Sequence, residues 1–564
     1  MKAKQILIIT ALTFLLLIPI FCALVLAIDL EYSWLKKIAY FVVVLTLLAI
    51  PALFLKARTY FLVEGIFNFL FFPIDIASLY LNHQSTSRVF LKNIYATNPS
   101  EALELLGAMW YMVCIVVVLW VVYFWLVSRV ENRHLLPRKA TKGILIFAGT
   151  IFILGLLGMM AYTYRGSTNK SFKFVVVKSI DLVWTKLYKI YPYNLYIETY
   201  EILKNKHQQS QLNKQVESYT FGISPSPYEQ PELYIYVIGE TARYDHFGLN
   251  GYARNTTPRL ETIPNIISFD SVFSQGNLTE TSVPLLVSRA TADNPNRAYT
   301  EKIISEAFQE AGFEAGWILK QRPYLMMERA MANADYAYSW PKELDVDNNF
   351  DIDIVAKLHE FIADTTQFFV IHSAGSHFRY ELRYPKEFEQ FQPVLGKTFS
   401  YLLLTEENKD KLMNAYDNSI LYTDYFLSEL IHYADSLNRP ATILYISDHG
   451  ENFWDDERKL LLHGSYQISE YEYHVPLLIW YSDEYRDKYP HKVQQLQNNR
   501  RVPVSSDVVF YSLLDLANIA VDMNPTHSLC SPELLPQDTI FVITGSGAVE
   551  RHAFKHHADS DTQY

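Results

Sequence analysis

The hydrophobic pattern divides the chain into an apolar first third and a mixed remainder. Five apolar segments are each long enough to cross a bilayer, which takes about 20 residues of helix. They cover residues 6–28, 38–55, 60–81, 109–127 and 144–162. Stretches such as IVVVLWVVYFWLV lack the polar face of a buried helix in a soluble protein, and the first segment is too long for a signal peptide. We therefore predict a transmembrane module of five helices over residues 1–165.

The basic residues predict the orientation of this module, because cytoplasmic loops are rich in Lys and Arg. Such residues precede the first segment, fill the gap after the second and crowd the gap after the fourth. They are Lys2, Lys4, Lys56, Arg58, Arg129, Arg133, Arg138, Lys139 and Lys142. With five spans, everything after residue 162 is then expected outside the membrane.

Residues 166–230 are expected to connect the membrane module to a soluble domain. The part over residues 170–212 mixes Tyr, Trp and Lys with a helical period, which suits either an interfacial helix or a helix packed on the soluble domain. Residues 208–230 turn polar and contain Pro225 and Pro227, so we interpret them as the linker.

The remainder alternates short apolar runs with helical stretches. The runs ELYIYVIGE, AGWILK, TQFFVIHSAGSH, ATILYISDHGE and HVPLLIWYS are β-type, and helical patterns such as EKIISEAFQEAGF lie between them. This alternation predicts an α/β soluble domain with a mostly parallel central sheet over residues 231–564.

Charge and cysteine content narrow the function classes. The net charge is −11, whereas binding of nucleic acid needs a basic surface. Of the three cysteines, Cys22 and Cys114 lie inside apolar runs, so the soluble domain has only Cys530 and cannot form an internal disulfide.

Three predicted strand ends carry polar side chains suited to chemistry. Glu240 ends the first strand, Asp448 and His449 end another, and a third ends at Gly-Ser-His with His377. Each has an ordinary alternative: Glu240 as a helix cap, Asp-His-Gly as a turn, and His377 or His463 as surface or core histidines. Parallel strands would bring the three ends to one edge of the sheet, where ligands bind.

Taken together, two carboxylates and three histidines beside glycines suit one or two zinc ions with oxygen and nitrogen ligands. Metal sites of this kind assist the transfer of phosphoryl groups. A covalent mechanism needs an alcohol, and Thr279 in FSQGNLTETSVPLLVSRA stands at a predicted helix start, where backbone N–H groups can receive a phosphate. The alternative is that Thr279 is simply an N-cap.

The motifs YVIGETARYDHFGLNGYARNTTPRL, SQGNLTETSVP, IHSAGSHFRYELRYP, NAYDNSILYTDYFLSELI, YISDHGEN and LLHGSY occur in this order. They resemble those of the lipid A phosphoethanolamine transferases, a family of the alkaline phosphatase/sulfatase superfamily that includes the mobile colistin-resistance enzymes. The resemblance covers almost the whole chain, including NIYATNPSEALELL in an outward loop, and implies a sulfatase-like catalytic domain.

The resemblance also implies roles for individual residues. The implied metal ligands are Glu240, Thr279, Asp448 and His449. The implied catalytic residues are Thr279, His377 and His463, and the substrate contacts are His377, His463, Asn98 and Glu101. The nucleophile is placed at Thr279 rather than Thr281, because the family threonine stands three positions before the Ser of Ser-Val-Pro.

The implied reaction is zinc-dependent transfer of phosphoethanolamine from phosphatidylethanolamine to lipid A or another envelope glycan. The implied protein is a monomer in the bacterial inner membrane, with its catalytic domain in the periplasm, one tight zinc ion and a second as an alternative. Open alternatives are a phosphoglycerol transferase using phosphatidylglycerol, a sulfatase or phosphodiesterase, and a non-catalytic scaffold. Two departures from the family are the missing disulfides and Gln275, which stands where a cysteine often precedes the glycine.

Overall fold

The structure, a computed structural model, describes the chain in segments. These are residues 3–26, 34–69, 71–82, 111–135, 138–166, 216–225, 228–340, 350–519 and 525–553, with single residues and short runs between 86 and 94 and between 171 and 200. The chain forms two compact units: residues 1–95 with 109–205, and residues 96–108 with 206–564. Most of the predicted connecting segment lies outside the described residues, and the predicted domain boundaries stay predictions.

The first unit is built from apolar helices. They are α1 (Ala3–Leu26), α2 (Trp34–Phe54), α3 (Ala57–Glu64), a π-helix (Gly65–Phe69), α4 (Phe72–Asn82), α5 (Tyr111–Ser128) and α6 (Arg138–Gly166). The third predicted segment is therefore not one uninterrupted α-helix. Glu64 ends α3 and Asp75 lies in the first turn of α4, where its carboxylate accepts hydrogen bonds from the backbone N–H and the hydroxyl of Thr86, each 2.9 Å long. These two acids, costly in hydrocarbon, thus lie close to the interruption.

These helices are compatible with a membrane module. Within the described residues, Ala3–Phe21 and Ala57–Ile76 are long and apolar enough to cross a bilayer, and Val44–Phe54 and Val113–Ser128 are shorter apolar helices. Length and composition alone do not establish a span, so the count of five spans stays a prediction.

The second unit is organised around a seven-stranded sheet with the order β2-β10-β7-β1-β6-β4-β5. Its strands are β1 (Leu233–Gly239), β2 (Ile266–Phe269), β4 (Glu314–Leu319), β5 (Tyr336–Ser339), β6 (Gln367–His372), β7 (Ala441–Ser447) and β10 (Leu477–Tyr481). Three small sheets pair β3 (Val272–Phe273) with β11 (Val504–Ser505), β8 (Asn452–Phe453) with β9 (Leu461–Leu462), and β12 (Thr539–Ile543) with β13 (Val549–Ala553).

The sheet is mixed but mostly parallel, as the sequence predicts. Strand β1 pairs in parallel with β6 and β7, and β4 pairs in parallel with β5 and β6, whereas β10 runs antiparallel to β2 and β7. All five predicted strands are present. The short edge strands β2 and β5 were not predicted, and their brief, partly buried segments explain why.

Helices cover both faces of the sheet. They are α7 (Thr279–Leu286), α8 (Arg297–Thr300), α9 (Ile304–Glu310), α10 (Leu325–Ala332), α11 (Ile352–Phe361), α12 (Lys409–Ser436), α13 (Glu470–Tyr473), α14 (Asp483–Lys488), α15 (Pro490–Asn499) and α16 (Val508–Leu516). Alternate residues of β1 enter two separate cores: Tyr234, Tyr236 and Ile238 enter one, and Leu233, Ile235 and Val237 enter the other. Because both faces are buried, the strand is apolar throughout and shows no two-residue alternation.

Strand β6 ends earlier than the sequence indicates. The interpretation of its end at Gly-Ser-His was wrong by several residues, because the strand stops at His372 and a turn carries the chain to His377. Gly375 has a φ of +50°, and a Cβ there would lie 2.9 Å from the backbone N and O of Glu240. This turn therefore needs glycine, and it brings the segment that holds His377 against the end of β1.

Candidate active site

The central position of β1 brings the predicted ligands together. Gly239 is the register partner of Ser447 on the parallel neighbour β7, so the residues that follow, Glu240 and Asp448, leave the sheet side by side. Ligand atoms of Glu240, Asp448 and His449 all lie within 4.8 Å of one another, and all three side chains are fully buried. The convergence follows from parallel pairing, because parallel strands end on the same edge.

Asp448 is held by one carboxylate oxygen and presents the other. Its Oδ1 accepts hydrogen bonds from the backbone N–H groups of Thr241 (3.0 Å) and His449 (2.8 Å). Its Oδ2 is buried without a hydrogen-bond partner in the described part of the chain and lies 3.4 Å from Nε2 of His449. Burial and the charge of Glu240 raise the pKa of Asp448 well above its usual value. A buried carboxylate oxygen in this state is suited to bind a cation.

Glu240 is oriented by neutral donors. The hydroxyl of Thr241 donates to Oε1 (2.7 Å), and Nε2 of Gln321 donates to Oε2 (2.7 Å) and to the carbonyl of Ser373 (3.0 Å). Burial opposes ionisation of Glu240, but the neighbouring histidines, led by His449, and the Gln321 hydrogen bond hold its pKa at about 2. In the protein without a cation, Glu240 is therefore the carboxylate that ionises, and its negative charge disfavours ionisation of Asp448.

His449 is fixed in one tautomer. Its Nδ1 lies 2.8 Å from the carbonyl oxygen of Gly450, and because a carbonyl only accepts, Nδ1 must carry the proton. Burial lowers the pKa of His449 to about 3, so the ring is neutral at pH 7. Nε2 therefore presents a lone pair to the site, as a metal-binding histidine does.

Thr279 points into the same cluster. It is the first residue of α7, and Leu278, not Thr279, is the N-cap. Its Oγ1 lies 3.2 Å from both carboxylate oxygens of Glu240 and 3.2 Å from Nε2 of His449. The Thr281 hydroxyl instead donates to the carbonyl of Leu278 (2.9 Å). The Thr279 hydroxyl therefore does not cap the helix, which was the ordinary alternative for this residue.

The four side chains fit a small divalent cation. The ligand atoms of Thr279, Glu240 and His449 are 3.2 to 3.6 Å apart. A tetrahedral zinc ion with bonds of about 2.0–2.1 Å separates its ligands by about 3.3 Å. Two buried carboxylates, one neutral imidazole and a hydroxyl also form a donor set that zinc accepts. A cation would offset the repulsion between the carboxylates and bind the unpartnered oxygen of Asp448.

The two other predicted histidines lie beside this cluster. Nδ1 of His463 lies 3.2 Å from Oε1 of Glu451, and its ring centroid is 4.3 Å from that of His449. Burial opposes the charge on His463, but Glu451 raises its pKa. The N–H of Ser376 donates to the carbonyl of Glu240 (3.0 Å), which brings the adjacent His377 to this edge of the sheet. Burial lowers the pKa of His377 to about 3, and the charges of Glu240, Arg383 and His463 act on it as well. Asn98 and Glu101, the remaining predicted substrate contacts, lie outside the described residues.

Sequence reasoning missed several residues around the site. Gln321 follows the end of β4, and its position at a strand end was an available signal. Glu451 follows His449 by two residues and accepts the Tyr380 hydroxyl (2.6 Å) besides contacting His463. His372, at the end of β6, is fully buried with both ring nitrogens unpartnered within the described residues, 3.9 Å from Oε2 of Glu240.

Gln275 supports the segment around Thr279 in place of a cysteine. Its side-chain oxygen accepts the backbone N–H of Ala292 beyond α7 (2.9 Å), and its carbonyl accepts the N–H of Ile543 (2.8 Å). Cys530 is buried and unpaired. The hydrogen bond that Gln275 accepts from Ala292 therefore joins the segments before and after α7 without a disulfide.

The chain belongs to the sulfatase family, whose model matches residues 232–519. The matched segment contains the whole cluster formed by Glu240, Thr279, Asp448 and His449. This agrees with the fold that the motif resemblance implies.

The chain is similar to several proteins that are named phosphoethanolamine transferases. The Kdo(2)-lipid A phosphoethanolamine 7''-transferase of Escherichia coli strain K12 is 30% identical over 262 residues, which are 44% of each chain. The chain thus spans about half the length of the curated relatives it matches. The integral membrane phosphoethanolamine transferase EptA of Neisseria meningitidis matches with a TM-score of 0.68 and 20% identity, over 93% of this chain and 97% of that one. The periplasmic domain of Escherichia coli EptC in complex with Zn matches with a TM-score of 0.52 and 22% identity, over 58% and 94%.

Proposed function

We propose that this chain is a membrane-anchored phosphoethanolamine transferase that forms a covalent adduct on Thr279. The observation that carries this proposal is the position of the Thr279 hydroxyl, 3.2 Å from Glu240 and from the bare Nε2 of His449 in a buried site. The names of the relatives supply the transferred group, and the apolar helices fit a donor that is a membrane lipid. Phosphatidylethanolamine is the proposed donor, and lipid A or another envelope glycan is the proposed acceptor.

The metal proposed for the site is zinc, held by Glu240, Asp448, His449 and Thr279. When bound, it supplies Lewis-acid stabilisation of negative charge on oxygen and lowers the pKa of a bound hydroxyl. The zinc complex of the EptC domain supports this choice, as does the donor set of the site.

The first half of the reaction is proposed to take place at Thr279. The hydroxyl loses its proton, and Oγ1 attacks the phosphorus of phosphatidylethanolamine. The bond from phosphorus to the diacylglycerol oxygen breaks, and diacylglycerol leaves with a proton. Phosphoethanolamine then remains on Thr279 as a phosphodiester, in line with covalent catalysis by an activated alcohol.

The second half regenerates the threonine. A hydroxyl or phosphate oxygen of the acceptor attacks the phosphorus, and the bond to Oγ1 of Thr279 breaks. His377 and His463, beside the cluster, are proposed to move the acceptor proton or to stabilise charge on the phosphoryl oxygens. The Nδ1 of His463 is engaged with Glu451, which fixes the ring for this task.

The test is the mass and position of the covalent adduct. Full-length protein in detergent is incubated with labelled phosphatidylethanolamine and no acceptor, then digested and analysed by mass spectrometry. We expect an adduct with the mass of phosphoethanolamine on the peptide that contains Thr279. Thr279→Ala should abolish it, Thr279→Ser should retain part of it, and the matched control Thr281→Ala should change it little.

Other outcomes would contradict specific parts of the proposal. An adduct on Thr281, or full transfer by Thr279→Ala, would refute the nucleophile. A phosphoglycerol adduct formed from phosphatidylglycerol, with none from phosphatidylethanolamine, would replace the donor. A protein that binds no zinc and forms no adduct would favour a non-catalytic scaffold.

A further inference from the structure

A single buried carboxylate, that of Glu472, connects the segments that carry the catalytic side chains. Glu472 lies in α13 and is fully buried. Its Oε1 accepts hydrogen bonds from Nδ2 of Asn277 (2.9 Å) and from the backbone N–H of Ser465 (3.0 Å). Its Oε2 accepts the Ser465 hydroxyl and the backbone N–H of Ser469 (3.1 Å).

The partners of Glu472 are close in sequence to the proposed catalytic residues. Asn277 precedes Thr279 by two residues, and Ser465 follows His463 by two residues. One carboxylate therefore joins the threonine loop (residues 274–279) to the histidine loop (residues 461–466). These two loops carry the proposed nucleophile and a proposed charge-stabilising or proton-transfer group.

Direct contacts between the two loops reinforce this connection. Nδ2 of Asn277 also donates to the carbonyl of Ser465 (2.9 Å), and the N–H of Gly464 donates to the carbonyl of Asn277 (2.9 Å). The side chain of Asn277 is thus held between Glu472 and Ser465, and its orientation depends on the carboxylate.

The backbone of the same short helix holds the metal-binding segment. The N–H of Gly450, next to His449, donates to the carbonyl of Glu472 (2.7 Å). A Cβ at position 450 would lie 2.1 Å from the carbonyl oxygen of Tyr471, so only glycine allows this approach. Residue 472 therefore contacts segments that adjoin Thr279, His463 and His449.

A purely local role for Glu472 does not account for these contacts. Glu472 and Ser469 form a capping box at the start of α13, which needs the side chain to accept only the N–H of Ser469. The side chain accepts three further hydrogen bonds from Asn277 and Ser465, and both of these residues lie outside the helix. A four-residue helix does not require them.

We propose that Glu472 is a positioning residue for phosphoethanolamine transfer, setting the separation between Thr279 and His463 through Asn277 and Ser465. This inference rests on the proposed function, because it assigns the two loops to one reaction. Catalysis requires reacting groups to be placed within a fraction of an ångström, and a shift of about 1 Å can cost about a hundredfold in rate. Glu472 touches no proposed metal ligand through its side chain, so its effect is on geometry rather than on zinc binding.

The test is Glu472→Gln in the full-length protein, with steady-state transfer and zinc content measured together. The amide replaces one accepting oxygen with a donor, so at least one bond to Asn277, Ser465 or Ser469 is lost. We expect kcat to fall roughly 10- to 100-fold, with KM changed less than about threefold and zinc content unchanged. Asn277→Ala should give the same pattern while leaving the capping box of α13 intact, which keeps the test decisive if Glu472→Gln does not fold.

A reversed hydrogen bond tests the connection directly. Asn277→Asp alone places a second carboxylate against Glu472 and should lose more activity than either variant above. Combined with Glu472→Gln, the amide of residue 472 can donate to the new carboxylate, and we expect at least about a tenfold recovery over Asn277→Asp alone. If Asn277→Asp acted only by destabilising the fold, the second substitution would not restore the activity.

Asp424→Asn is the matched control. Asp424 is also fully buried and accepts backbone N–H groups, those of Arg259 (3.2 Å) and Leu260 (2.9 Å), away from the site. Its kcat should equal that of the wild type. An unchanged kcat for Glu472→Gln or Asn277→Ala, or a double variant no better than Asn277→Asp, would overturn the inference. Wild-type protein that transfers no phosphoethanolamine would instead overturn the proposed function.

Discussion

Replacing Asp448 with Asn should raise the stability of the metal-free protein and lower the stabilisation that zinc provides. Asn has nearly the shape of Asp and keeps Oδ1, which accepts the N–H groups of Thr241 and His449. It removes the charge on the unpartnered Oδ2, which is buried with Glu240. The substitution therefore preserves the local backbone contacts and changes only the charge and the potential ligand.

Without zinc, the variant should be more stable than the wild type. Burial and Glu240 raise the pKa of Asp448, so the folded metal-free protein must keep an unfavourable charge or take up a proton. Relief of this repulsion is worth about 1–3 kcal/mol, because burying an unpaired ion costs several kcal/mol and protonation already recovers part of it. In thermal melts with a chelator, this corresponds to a rise of about 2–8 °C in Tm.

With zinc present, the variant should gain less stability from the metal than the wild type does. Loss of one ligand should weaken zinc binding by about a hundredfold or more, which is about 2.7 kcal/mol of stabilisation lost at saturating zinc. The assay is a pair of melts of the full-length protein in detergent, one with chelator and one with a zinc titration. A variant that melts below the wild type in chelator and gains as much from zinc would show that Asp448 is a structural acceptor and not a ligand.

Further predictions concern the support of Glu240, the pH dependence of stability and the membrane topology. Gln321→Leu removes the donor to Oε2 of Glu240, so zinc affinity should fall roughly 10- to 100-fold in a chelator competition. The control Gln309→Leu, at a half-buried glutamine that donates to the carbonyl of Asn333, should not change the zinc affinity. Burial raises the pKa of Asp424 from 3.8 to about 6, so its contribution to stability is complete below about pH 4 and is lost as the pH rises through 6. Asp424→Asn should remove this component, about 3 kcal/mol, from the unfolding free energy between pH 4 and 7, and an unchanged pH profile would refute the shift. Finally, a C-terminal alkaline phosphatase fusion should be active and a green fluorescent fusion dark, and the reverse would place the catalytic unit in the cytoplasm.

Local sequence pattern was sufficient for the elements that define the fold. The runs of β1, β6 and β7 are buried on both faces, and such strands are recognisable because most of their positions are apolar. Their ends carry Glu240 and Asp448-His449, and parallel pairing alone requires these ends to share an edge. The convergence of the proposed metal ligands was therefore predictable, whereas the antiparallel direction of β10 was not, because strand direction is set by long-range pairing.

The hydrophobic pattern also did not predict the interruption of the third apolar segment. Hydropathy over residues 60–81 is continuous enough to predict one span, yet a π-helix at Gly65–Phe69 separates α3 from α4. Backbone geometry of this kind depends on packing against other helices, such as the hydrogen bond from the Tyr123 hydroxyl to the carbonyl of Phe61 (2.8 Å).

The sequence by itself determined the class of fold and the polar residues at the strand ends, and the Ser-Val-Pro register of the resembled family predicts Thr279 as the nucleophile. Only the tertiary structure decided how these groups are held: that the Thr279 hydroxyl faces Glu240, that Gln321 orients that carboxylate, and that Glu472 joins two loops. The physical reason is that periodicity records which residues are buried, a property each segment shows locally. A hydrogen bond between residues 277 and 472 leaves no local pattern, because a buried polar side chain is satisfied by whichever donor the fold brings to it.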